Sequence, residues 1–142
     1  MAQKRVDTMT HQSFKFPGLW RAIGWLLVAL VVIFSLLPRP PEVLEIPSGD
    51  KVSHLVAYLI LMFWFSQLYR QRSQQIWFAA GLTALGVGLE LIQGLMGSRT
   101  CQFSDMIANS CGVTIGWGLT KTTLGNSLGY LETKLLRFVR GY

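Results

Sequence analysis

GDKVSHLVAYLILMFWFSQLYR, Gly49 to Arg70, is the stretch on which the fold turns. From about Val52 to Tyr69 it is apolar enough to sit in lipid, because a run of about 20 such residues spans the hydrocarbon core of a bilayer. Yet it opens on Asp50, Lys51 and His54. Two charges and an imidazole at the edge of a segment that leaves water need partners, and those have to come from neighbouring segments.

Three further apolar runs flank it. Leu19 to Leu37 comes first and is closed by Pro38-Arg39-Pro40-Pro41; Ile76 to Met96 follows and is interrupted by a single charge, Glu90. Met106 to about Thr120 is the shortest and weakest. The chain has 142 residues, of which 51% are hydrophobic and 14% charged, against about 25% charged in soluble domains. Four such runs use up most of the chain and leave no room for a soluble catalytic domain. The expected fold is therefore an all-α membrane protein: a four-transmembrane-helix bundle over 19–121, with a tail at 1–18 and an amphipathic tail at 122–142. The first run has basic residues before it, as a secretory signal would, but it is long and lacks a small-x-small cleavage site, so it reads as an uncleaved span. Cys101 and Cys111 form no CxxC pair and have no histidines at zinc-ligand spacing.

Charge sets the expected orientation. With the N-terminus inside, that side carries Lys4, Arg5, Lys15, Arg21, Arg70, Arg72, Lys121, Lys134, Arg137 and Arg140, whereas Arg39, Lys51 and Arg99 lie outside. Basic residues near span ends favour the cytoplasmic side, so both termini are expected there. The net charge of +6 then reflects topology and anionic lipid headgroups rather than a nucleic-acid groove, and no nucleic-acid partner is expected. In the tail, Leu128, Leu131, Leu135, Phe138 and Tyr142 recur at helical spacing among Lys134, Arg137 and Arg140. A short interfacial helix and a frayed, solvated tail both fit that pattern.

This topology brings the start of span two, the end of span three and the start of span four to the outer surface. Asp50, His54 and Tyr58 are four apart and share a helix face. Gly86, Glu90, Gln93 and Gly97 follow a 4-3-4 spacing, which Asp105, Asn109, Gly112 and Gly116 repeat. Ser104 is a candidate cap for the fourth helix, and the loop before it contributes Arg99. At about 1.5 Å per residue, Glu90 lies roughly 10 Å inside its helix end and Asn109 about 6 Å below Asp105. Ionisable side chains at such depth are costly against lipid, so the three stripes are expected to face one another as one outward-opening polar pocket. Small residues let membrane helices approach closely; Ala80, Ala84 and Gly88 on one side of span three, with Gly86 and Gly97 on the other, predict neighbours on two faces. Phe63, Trp64, Phe65 and Trp77 read as lipid-facing or inner-interface anchors.

In order and spacing, Asp50-Lys51-x-x-His54-x-x-x-Tyr58, Glu90-x-x-Gln93, Arg99 and Asp105-x-x-x-Asn109-x-x-Gly112-x-x-x-Gly116 resemble the VanZ-like membrane proteins of bacteria, from about Pro38 to Thr120. That family takes its name from an accessory protein of glycopeptide-resistance clusters associated with low-level teicoplanin resistance. The resemblance implies a multi-pass protein of the bacterial plasma membrane acting near the cell envelope, with a link to antibiotic resistance.

Three classes of function follow for Asp50, Lys51, His54, Tyr58, Glu90, Gln93, Arg99, Asp105 and Asn109. The pocket binds a polar envelope molecule such as a lipid-linked cell-wall precursor, with Arg99 and Lys51 on phosphate or carboxylate. Alternatively, it is a hydrolase or transferase site in which His54 with Glu90 or Asp105 supplies acid–base chemistry or holds a divalent cation. In the third class the cluster only stabilises the bundle, and function lies in an oligomer or membrane complex. No nucleophile stands out among Ser53, Ser98, Ser104 and Cys101; no cofactor is identified, and no resident metal is expected because the ligands show no recognised spacing. Membrane lipids are the expected partners.

Overall fold

The computed structural model describes residues 14–37, 49–96 and 102–141. Five α-helices run through them: α1 Pro17–Leu36, α2 Gly49–Leu68, α3 Arg72–Leu95, α4 Phe103–Leu119 and α5 Ser127–Arg140, with a 3-10 turn at Thr123–Asn126 before α5. There is no strand among the described residues. Helices α1, α2 and α3 are long and apolar enough to cross a membrane, and the chain is a multi-pass membrane protein on that ground. At 17 residues, α4 is about 25 Å long at 1.5 Å per residue, against a hydrocarbon core of about 30 Å. The fourth expected span is thus a helix, but a short one.

Helices α1 to α4 alternate in direction. Gln93 near the end of α3 donates from its Nε2 to the carbonyl of Ser35 near the end of α1, while Trp64 near the end of α2 donates to the carbonyl of Trp20 near the start of α1. The central core is Tyr58, Leu61 and Met62 of α2 with Leu82 of α3 and Val113 of α4, packed against Leu27, Val28 and Val31 of α1. The tightest contact joins α2 to α4. A Cβ placed on Gly112 would run into the carbonyl oxygen of Leu55, and one on Gly116 into that of Leu59. Glycine at these two positions lets the backbones touch, the usual way in which membrane helices gain dispersion contact when lipid gives them no hydrophobic drive.

Several expectations are corrected. Phe65 is not lipid-facing: it is buried and stacks on Phe78 at 4.6 Å, with Trp25 edge-on at 5.5 Å. Trp64 is half-buried and tied to α1, and of the four aromatics Trp77 is the strongly exposed one, at 77%. Ala80 and Ala84 are exposed, and nothing lies within 4 Å of a Cβ on Gly88, so this face of α3 packs on no other described helix. Ser104 is not the cap of α4: the helix begins one residue before it, at Phe103, and Gln102 takes the cap position. The tail is helical rather than frayed. Its Tyr130, Leu131, Leu135 and Phe138 are exposed, Leu128 is buried, and Tyr142 lies outside the described residues.

Candidate functional site

Helices α2, α3 and α4 all deliver ionisable side chains to the same end of the bundle. His54 sits in the second turn of α2, Glu90 in the penultimate turn of α3, and Asp105 in the first turn of α4. His54 Nε2 lies 3.8 Å from Glu90 Oε1, and one donor atom from each of the three residues falls within 4.8 Å of the other two. Glu90 is 2% exposed and Asp105 7%. Lys51 supplies the cation at the rim: its Nζ is 3.4 Å from Asp105 Oδ1 and donates to Gln102 Oε1 at 2.9 Å. If both carboxylates are ionised they repel by about 3 kcal/mol at this separation, taking an effective dielectric of about 20, so a positive charge is wanted among them.

One turn deeper lie Tyr58 and Asn109, both buried. Asn109 packs over Gly86, where a Cβ would come within 2.9 Å of its Nδ2. The small residue on α3 thus makes room for the amide of α4. Neither Tyr58 Oη nor Asn109 Oδ1 has a hydrogen-bond partner among the described residues. Such unpaired buried groups are rare, and each asks for a reason.

Of the nine candidates, Lys51, His54, Tyr58, Glu90, Asp105 and Asn109 come together. Gln93 turns instead to Ser35, tying α3 to α1. Asp50 remains exposed on the first turn of α2, and Arg99 lies outside the described residues. The grouping can bind an anion through Lys51, share a proton between His54 and Glu90, or hold a cation between its three donors. Beside it, Val87, Phe103, Met106, Ile107, Ser110, Cys111, Thr114 and Ile115 line an open apolar groove of about 480 Å³ between α3 and α4.

The opposite end holds a second constellation, which sequence reasoning missed. Glu132 of α5 is 7% exposed and accepts the backbone N–H groups of Lys15 and Phe16, at 2.9 and 3.0 Å, and the Trp20 indole N–H at 3.0 Å. Burial pushes its carboxyl up, but these three donors and the Lys15 charge outweigh that and hold it below the usual carboxylate range. On α2, Gln67 Oε1 accepts from Ser127 Oγ and from the backbone N–H of Leu128, while Arg70 reaches Asn126 Oδ1 at 2.7 Å. Two signals were available. The start of α1, Phe16-Pro17-Gly18, has no side-chain cap of its own, and Glu132 is the one acid in the tail.

A family model described as VanZ/LLP1 matches residues 7–126. Among curated proteins, the chain is 28% identical over 93 residues to an uncharacterized protein of Schizosaccharomyces pombe, an alignment covering 63% of this chain and 57% of the relative. The chain thus spans a little over half the length of that relative. No solved structure matches.

Proposed function

The chain belongs to the VanZ/LLP1 family, and we propose that it uses the Lys51–His54–Glu90–Asp105 cluster to bind the polar head of a cell-envelope or lipid-linked molecule. The observation that carries this reading is the meeting, at one end of an apolar bundle, of ionisable groups from three helices, since such residues in membrane segments mark function by default. Lys51 contacts phosphate or carboxylate, together with Arg99. Asp50, Asn109 and Tyr58 order the head group, and Gln93 holds the α3 end in place. The apolar groove beside α4 suits the tail of an amphiphile.

In this reading α4 is a fourth span and both termini are cytoplasmic. The docking of α5 on the start of α1 supports it, because α4 must then run the length of the bundle. Lys15, Arg21, Arg70, Arg72, Lys121, Lys134 and Arg137 gather at the α5 end, as cytoplasmic residues do. The exposed apolar side chains of α5 lie at the inner membrane surface. The cluster therefore faces outward, in a bacterial plasma membrane, where a lipid-linked cell-wall precursor and glycopeptides such as teicoplanin both act. A relative from fission yeast means that similarity to this chain is not by itself a bacterial mark.

Purified wild-type protein should retain a radiolabelled polyprenyl-linked cell-wall precursor, and Lys51→Ala with Arg99→Ala should reduce retention at least about 10-fold, as loss of charge-assisted contacts implies. Equal retention by the folded variant removes this reading.

A further inference from the structure

We infer that His54, Glu90 and Asp105 form a binding site for one divalent transition-metal ion. Three helices contribute one donor each, from positions 54, 90 and 105, so no local ligand motif is expected and none is present. The donors already lie within 4.8 Å of one another, with His54 Nε2 and Glu90 Oε1 at 3.8 Å. A tetrahedral ion with bonds of about 2.1 Å needs ligand atoms about 3.4 Å apart, a contraction that side-chain rotation can supply. The imidazole sets the class of ion, since calcium and magnesium prefer all-oxygen shells and nitrogen donors favour zinc and its neighbours.

A second observation points the same way. Tyr58 and Asn109 are 1% and 2% exposed and stand one helical turn beneath His54 and Asp105, with Tyr58 Oη and Asn109 Oδ1 unpartnered among the described residues. Ligand-bound waters and outer-shell contacts are what such groups serve in metal sites, orienting the ligands and completing the shell. Lys51 is the competitor: its ammonium occupies Asp105, but it is partly exposed and keeps Gln102 when displaced.

This deepens the head-group site, because the ion would bridge the carboxylates to a phosphate, but binding of the ion itself does not depend on that reading. The test uses full-length protein in nanodiscs, stripped with chelator, in a Cys101→Ser/Cys111→Ser background to remove thiols, with no lipid precursor added. Titration with Zn2+ and with Mn2+ should show one saturable site per chain. His54→Ala, Glu90→Gln and Asp105→Asn should each weaken it at least about 10-fold, whereas Lys51→Met should leave it equal or tighter. X-ray absorption of the zinc-loaded protein, its ligand residues intact, should show one imidazole among oxygen donors, which keeps the proposal testable should a variant fail to fold. A folded protein with no 1:1 site, binding unaltered in all three ligand variants, or a shell lacking imidazole would overturn it. Cation binding without precursor retention sinks only the head-group reading, and precursor retention without cation binding sinks only this one.

Discussion

Both ends of this bundle are polar, and they are satisfied in opposite ways. At the α5 end, every interaction around Glu132 has a matched donor: two backbone N–H groups, an indole and a nearby lysine. At the other end, two carboxylates share a histidine and a rim lysine, while a tyrosine hydroxyl and an asparagine oxygen just below have no partner among the described residues. A closed network rigidifies a fold, whereas a partly satisfied one costs stability and persists where something else completes it. The first end is built to hold the chain together; the second is built to receive something.

The largest effect should come from what joins the two ends. Gly112→Val drives a branched side chain into the Leu55 carbonyl, and a backbone cannot yield as a side chain does. The loss should reach or exceed about 3 kcal/mol, the upper part of the overpacking range. Thermal melting in detergent should fall sharply, and cysteine probes at both ends should become reactive together. If only one end responds, the two ends fold separately and the contrast between them loses its frame.

Next comes Glu132→Ala, which strands three donors and should cost about 2–4 kcal/mol, since bonds to a charged acceptor are worth about 1.5–3 kcal/mol each but are not additive. Trypsin should then cut faster at Lys134 and Arg137 while the His54 end stays intact. Acid should act likewise. A carboxyl held below its ordinary value stabilises the fold above the unfolded value of about 4.3 and loses that contribution as pH falls through its lower folded value. Undocking of α5 should therefore appear below about pH 4.3 in wild type and be absent as a separate step in Glu132→Gln. Insensitivity of α5 to both changes would show that its apolar contacts alone dock it.

How much of this was legible follows from what kind of signal each part leaves. Hydropathy registers length and apolarity, so α1 to α3 were plain, while α4, broken by Asp105, Asn109 and three glycines, was the weak run and proved the short helix. The polar stripes were legible because fourfold spacing puts His54 with Tyr58, and Asp105 with Asn109, on one face whatever the tertiary packing. Spacing could not say that Gln93 would turn to Ser35, since a residue three positions from Glu90 lies about 60° away around the helix and meets a different neighbour. Glu132 was missed for another reason: its two signals, a helix start without a capping side chain and a lone acid in the tail, do not point to each other. It acts on an uncapped helix start more than a hundred residues away, and a pair so separated leaves no periodicity. The aromatic positions failed at Phe65 because composition cannot tell a belt residue from one stacked in the core.

Glu90→Gln should have a small effect on stability, in contrast to Glu132. Removing one of two carboxylates within 4.8 Å relieves repulsion but gives up the pairing with His54 at 3.8 Å; the two effects offset, so the variant should melt within about 1 kcal/mol of wild type. Precursor retention should nonetheless fall. A loss of about 3 kcal/mol or more, the scale of breaking a buried pair, would make the two ends alike.

The smallest effect should be at Tyr58→Phe. The hydroxyl is buried without a hydrogen-bond partner among the described residues, and the swap conserves volume, so the ring keeps its place against Leu61, Leu82 and Val113. Removing an unsatisfied group is neutral or stabilising, here by about 0.5 kcal/mol, because the desolvation it suffers on folding is no longer incurred. That gain is expected in chelator-treated protein. With Zn2+ added it should shrink or reverse, since the hydroxyl would then have a water or ligand atom to bind. Melting curves of wild type and variant, with and without the ion, separate the cases. A destabilisation of more than about 1 kcal/mol in the metal-free protein, the worth of a made hydrogen bond, would mean that the hydroxyl is already satisfied there and that the site end is as closed as the Glu132 end.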